Sequence, residues 1–277
     1  LIEFNDLIKL SPWVNRILGF EKYKIKKKNK VDILREYDVD KWGSVLNNSQ
    51  TNFSLNSMDT IFEEFNSKIP FYYKNLFYNA SGYEILQKHL DFYEACISEE
   101  LDGASAVVEL GAGYGSKILN LSKRNIFNNK DLYAAELSDS GCLLMEKVAK
   151  TENIDLFVGK CDLSELILDK INIPENSIIF TSYALHYVNN LDTNFINFIR
   201  AFNPKAVFHF EPCYDHYSKS NFHGLMCKRY IELNDYNKNM LSIFNADKNI
   251  ELTTIKNFLG FNPFLPISMI KWKSYLS

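Results

Sequence analysis

The residues best suited to chemistry begin at Val107-Val-Glu-Leu-Gly-Ala-Gly-Tyr-Gly115, an apolar run that meets three glycines and leads into the helix-like segment Ser116–Arg124. Gly111, Ala112 and Gly113 form a tight turn whose glycines let backbone approach a ligand with no Cβ in the way. The helix start behind it presents unpaired N–H groups and a positive dipole end. A dinucleotide site calls for G-x-G-x-x-G. This chain instead spaces its glycines G-x-G-x-G, with Ser116 where the third glycine would fall and Glu109 two residues before the first. Roughly twenty residues on, the distance expected of a ribose-binding acid, Asp131-Leu-Tyr-Ala-Ala-Glu136 ends a second apolar run in a carboxylate. Such a group accepts both ribose hydroxyls in charge-assisted hydrogen bonds.

The elements that must hold these residues follow two textures, divided near residue 100. From there, short apolar runs at 106–110, 132–137, 155–159, 177–180 and 206–210 alternate with helix-like segments. Interleaving of that kind predicts βα units on a parallel sheet, in which ligands sit beyond the strands' C-terminal ends. Ile250–Leu259 and Pro266–Lys273, joined by Gly260-Phe-Asn-Pro263, predict a terminal antiparallel hairpin. Before residue 100 the reading is helical. Met58, Ile61, Phe62, Phe65 and Ile69 recur at helical spacing, and Ser81-Gly-Tyr-Glu84 is a capping box opening a further helix. No strand is expected in that part.

The E-x-G-x-G-x-G pattern after the first strand resembles motif I of the class I S-adenosylmethionine (SAM) methyltransferases. The resemblance covers residues 105–273 and implies an α/β fold: a Rossmann-like, seven-stranded, mostly parallel sheet with a terminal antiparallel hairpin. Residues 1–100 would form a helical N-terminal lid or substrate region. Residues 101–277 would form the SAM-binding domain, with a helical insert at about 221–245. The resemblance implies that Glu109 orients the amino-acid end of SAM over Gly111, Ala112 and Gly113, and that Glu136 holds the ribose. It makes Asp162, in Val158-Gly-Lys-Cys-Asp-Leu163, an acceptor for the adenine amino group, with Leu163 beside the ring. A helix-capping Asp162 is the alternative. Tyr183, after the fourth strand, would face both cofactor and acceptor.

Methyl transfer is an in-line displacement that rests on placement of the nucleophile, with a base needed only if the acceptor must shed a proton early. His186, His209 and Glu211 are the candidate catalytic groups, and Tyr183, Tyr214 and Arg229 the candidate acceptor contacts. His186 and Glu211 equally suit a role in holding loops. His209, Glu211 and Asp215 nominally form a metal set, but imidazoles beside a carboxylate read as hydrogen-bonded groups and no metal is expected. The expected activity is methylation of an O or N atom of a small polar acceptor, such as a sugar, a surface-glycan substituent or a secondary metabolite. A peptide side chain is the alternative acceptor, and an inactive SAM-binding partner subunit a further reading.

Composition narrows the classes. With 31 Lys+Arg against 34 Asp+Glu in 277 residues, the net charge of −3 disfavours nucleic acid as the main partner. No apolar run reaches the length of a membrane span. Charges at Glu3, Asp6, Lys9 and Arg16 break the first apolar stretch, unlike a signal peptide. Five scattered cysteines without a C-x-x-C pair fit free thiols, so a cytoplasmic protein is expected. Six lysines in 22–30 read as a solvated loop. The sequence does not give the oligomeric state.

Overall fold

A computed structural model describes residues 1–23, 29–48, 52–60 and 67–275. Among the described residues, ten strands build one mixed sheet: β1 (Lys68–Tyr73), β2 (Leu76–Ser81), β3 (Ala106–Leu110), β4 (Asp131–Glu136), β5 (Phe157–Asp162), β6 (Ile167–Asp169), β7 (Ile178–Ser182), β8 (Ala206–Pro212), β9 (Ile250–Gly260) and β10 (Ile267–Ser274), in the order β2-β1-β9-β10-β8-β7-β3-β4-β5-β6. Strands β3, β4, β5, β7 and β8 run parallel at the centre. Strands β9 and β10 close one side antiparallel.

The expected seven strands are therefore ten. The three additions sit at the edges: β6 pairs antiparallel with β5, and the β1–β2 hairpin joins β9 through Tyr72 and Tyr73. The hairpin corrects the expectation of no strand before residue 100. Its two-residue turn uses Lys74 and Asn75, both at positive φ, without the glycine that usually marks such a turn. Pro70 lies in β1 outside the pairing with β9, so its missing N–H breaks no ladder there. Ile69 belongs to β1 rather than to a helix, while Ile61, Phe62 and Phe65 lie outside the described residues.

The helices begin with α1 (Leu7–Leu10) and α2 (Trp13–Leu18). Then α3 (Lys30–Leu34) runs through a π-helical stretch, Arg35–Gly43, into α4 (Ser44–Asn47). Next are α5 (Leu55–Thr60), α6 (Gly82–Ser98), α7 (Ser116–Lys123), α8 (Asp139–Glu152) and α9 (Thr193–Arg200). The insert supplies α10 (Phe222–Leu233) and α11 (Met240–Ala246). The capping box that opens α6 is formed in both directions: the Glu84 N–H donates to Ser81 Oγ, and the Ser81 N–H to the Glu84 carboxylate.

Both faces of the central sheet are buried. Val107, Ala134, Phe180 and Phe208 point to one core with α6, α7 and α8, whereas Val108, Ala135, Ile179 and Val207 point to the other with α9 and α11. A third cluster packs Leu7, Val14 and Ile17 onto Met226, Tyr230 and Leu233 of α10. Leu225, on the same helix, is exposed.

Candidate functional site

The chain turns sharply after β3 because the Gly111 and Ala112 N–H groups both donate to the Ala135 carbonyl, at 2.8 and 3.1 Å. This ties the loop to the end of β4. Gly111 sits at φ +74°, where a Cβ would come within 2.5 Å of Ala184 Cβ. Gly113, at φ +59°, would place one 3.3 Å from the Trp42 ring.

Three carboxylates surround this loop. Glu109 Oε2 accepts the Ile118 N–H of α7 at 3.0 Å, and no hydrogen-bond donor among the described residues reaches Oε1. Burial pushes the Glu109 carboxyl up to about 8, against the opposing pull of Lys117. Glu136 binds through both oxygens: Oε2 accepts the Gly113 N–H at 3.0 Å, and Oε1 accepts the Ser138 N–H and hydroxyl at 3.1 and 2.9 Å. Asp162 Oδ1 takes the Ser164 N–H and hydroxyl and the Glu165 N–H, as an N-cap would, while Oδ2 faces the Lys30 ammonium at 2.5 Å. Burial works against the Asp162 charge, but Lys30 and Ser164 outweigh it and hold the carboxyl below its usual range.

The α3–α4 segment roofs these groups. Tyr37 Oη lies 2.6 Å from Tyr187 Oη, Asp38 accepts the Ser140 N–H at the start of α8 at 2.7 Å, and the Trp42 ring meets Tyr114 edge-on at 5.2 Å. Asp59 of α5 fixes the loop from behind, accepting from Tyr114 Oη, Ser116 Oγ and Asn120 Nδ2. Floor and roof flank a cleft of about 280 Å³.

Glu109, Gly111, Ala112, Gly113, Glu136, Asp162, Leu163 and Tyr183 all line this cleft. Tyr183 does so at φ +53°, a left-handed conformation that a bulky side chain keeps only when its surroundings impose it. They do. Its N–H donates to the Phe210 carbonyl, and the next two N–H groups, of Ala184 and Leu185, donate to Glu211 Oε1 at 2.8 and 3.0 Å.

The other candidates lie outside the cleft. Glu211 is fully buried and anchors the Tyr183 turn, with His186 Nδ1 at 3.4 Å from its second oxygen. His209, read as a candidate base, points into the opposite core. The Trp272 indole N–H donates to its Nε2 at 3.0 Å, Thr181 Oγ1 meets Nδ1 at 3.1 Å, and burial lowers its pKa to about 3. Tyr214 donates to Glu232 at 3.0 Å, and Arg229 pairs with the same carboxylate from an exposed position. Neither lines the cleft. Tyr37, Trp42, Lys117 and Tyr187 do, and of these only Lys117, directly after the glycines, had a local signal in the sequence.

Among the described residues, no three His, Cys, Asp or Glu side chains are grouped to hold a metal ion, and no helix is long and apolar enough to cross a membrane. No protein-family profile matches the chain, and no curated protein matches it. Solved structures do. Magnesium protoporphyrin IX methyltransferase from Synechocystis PCC 6803, with bound S-adenosylhomocysteine (SAH), is 13% identical over 88% of this chain and 99% of its own, at a TM-score of 0.52. An O-methyltransferase from Bacillus cereus in complex with SAH is 10% identical over 87% of this chain and 100% of its own, at a TM-score of 0.50. The fold is that of the class I SAM-dependent methyltransferases.

Proposed function

We propose that the protein is a SAM-dependent methyltransferase acting on an O or N atom of a small polar acceptor. The observation that carries this reading is the alignment of Glu109, the glycine loop, Glu136 and Asp162 along one cleft. The donor set suits a sulfonium nucleoside. Glu109 Oε1 is open to an ammonium, Glu136 lies beside the loop for the ribose hydroxyls, and Asp162 Oδ2 accepts an amino N–H once Lys30 yields it. Bound SAM supplies an electrophilic methyl group. The chain's own residues position and enclose: the glycine backbone supports the ligand, Tyr183 and Tyr187 wall the acceptor side, and Tyr37 and Trp42 exclude water.

The α3–α4 segment that covers part of the cleft favours a small acceptor over an extended peptide groove. His186, His209 and Glu211 are all turned away from the cleft, which favours an acceptor that needs no strong base. The test is calorimetry with SAH and with NAD, followed by methyl-transfer assays on hydroxylated and aminated small molecules alongside peptides. SAH is expected to bind and NAD to fail. The opposite result overturns the reading, SAH binding without turnover identifies a partner subunit, and turnover on peptides alone moves the acceptor to that class.

This reading carries a pH dependence. The Glu109 carboxyl, held at about 8 in the free protein, must lose its proton to receive an ammonium. SAH affinity should therefore rise with pH from 6 towards 8, by up to about tenfold per unit, with a proton released on binding. A flat profile across buffers would remove Glu109 from the ammonium site. The same raised value means that the folded state binds the extra proton. The free protein accordingly loses stability as pH climbs from the unfolded value of 4.5 through about 8.

A further inference from the structure

One carboxylate oxygen of the cleft is held by an ion pair in place of a hydrogen-bond network. Asp162 Oδ1 takes three donors from Ser164 and Glu165, but Oδ2 is buried and has no well-aligned hydrogen-bond donor among the described residues. The Lys30 ammonium stands against it at 2.5 Å. That contact raises the Lys30 pKa, and Glu165 adds a smaller pull in the same direction.

Helix α3 gains nothing from a lysine at this position. Lys30 is its first residue, where a cation opposes the helix dipole, and the Asn29–Asp32 capping box closes that end without it. The Lys30 side chain is 44% exposed. It lines a hollow of about 260 Å³ beside the cleft, and the two share Ile33, Leu137, Ser164 and Tyr187. A displaced ammonium therefore has water and room at hand, with Glu165 still in its field. Asp162 Oδ2 cannot serve two partners at once. An ammonium makes a charge-assisted bond to a carboxylate, and a neutral amino N–H is the weaker donor. The amino group displaces it only with the help of the nucleoside's other contacts, so the observed affinity falls with the share of molecules in which the ion pair is made.

We propose that Lys30 is an autoinhibitory latch, whose ammonium competes with the amino group of an adenine ring for Asp162 Oδ2. The proposal rests on the nucleoside reading of the same cleft. The test is calorimetry with SAH on the wild-type protein, Lys30→Met, Lys30→Arg, Asp162→Asn and the double variant Lys30→Met/Asp162→Asn. Lys30→Met should bind SAH about three- to tenfold tighter than wild type, whereas Lys30→Arg, which keeps the charge, should stay within about twofold. The gain should shrink as NaCl rises from about 50 to about 500 mM and screens the ion pair. It should vanish in the Asp162→Asn background, where the two changes are no longer independent of each other. Thermal melts confirm that each variant is folded. SAH affinity that is unchanged or weaker in Lys30→Met overturns the latch while leaving the nucleoside site standing, as does a gain that persists in the Asp162→Asn background. Failure of both wild type and Lys30→Met to bind SAH overturns the nucleoside reading and the latch with it.

Discussion

Gly113→Arg should abolish SAH binding while leaving the protein folded. At φ +59° the residue already occupies the left-handed region, so any side chain there costs about 1–2 kcal/mol of backbone strain. That is a tolerable fraction of a typical domain's stability. The new Cβ would meet the Trp42 ring at 3.3 Å, so the rest of the arginine has to run between loop and roof, through the space the ligand needs. A loss of at least a hundredfold in affinity is expected, with a melting temperature only a few degrees lower. Gly111 provides the contrast. A Cβ there would lie 2.5 Å from Ala184 Cβ, a contact within the fold itself, so Gly111→Arg should lower stability and binding together. Calorimetry beside a thermal melt separates the two, and near-normal SAH affinity in Gly113→Arg would show that the ligand does not lie on this loop.

The second large effect belongs to Glu211. Replacing it with alanine leaves the Ala184 and Leu185 N–H groups without their acceptor, and each unpaired buried donor costs about 1–3 kcal/mol. The total expected loss is about 3–5 kcal/mol. The same change releases the turn that holds Tyr183 in its strained conformation. Glu211→Gln keeps one oxygen in place for both donors and should cost less than about 1.5 kcal/mol. Urea unfolding of the two variants decides the matter. Equal losses would mean that the carboxylate does not hold the turn. A stable Glu211→Gln protein with turnover sharply reduced would return Glu211 to the acceptor side.

The parts of the site that were legible in the sequence are those built by local chain geometry. Glu109 and the glycines fall within seven consecutive residues, and Glu136 and Asp162 each end a strand, so the βα order alone places them at one edge of the sheet. His209 also lies in a strand near that edge, but position along the strand does not reveal which face its side chain takes. Both faces of the central sheet are covered, so the usual alternation of apolar and polar residues is missing. Only the tertiary contacts with Thr181 and Trp272 show that it turns away. The roof was hidden for a different reason. Lys30 meets Asp162, Asp38 meets Ser140, and Tyr37 meets Tyr187 across more than a hundred residues of chain, and no spacing rule connects such partners. The β1–β2 hairpin went unseen because Lys-Asn replaced the expected glycine turn and its aromatic residues lie close to helical runs.

Those same three long-range contacts have a kinetic consequence. They grip three different parts of the floor: the end of β5, the start of α8 and the turn after β7. Since the bound ligand takes Asp162 Oδ2 from Lys30, a molecule seated beneath the roof departs when the other two let go, so its dwell time follows the opening rate of this strap more than the strength of its own contacts. Weakening either of those two contacts would then shorten the stay of reactant and spent product alike.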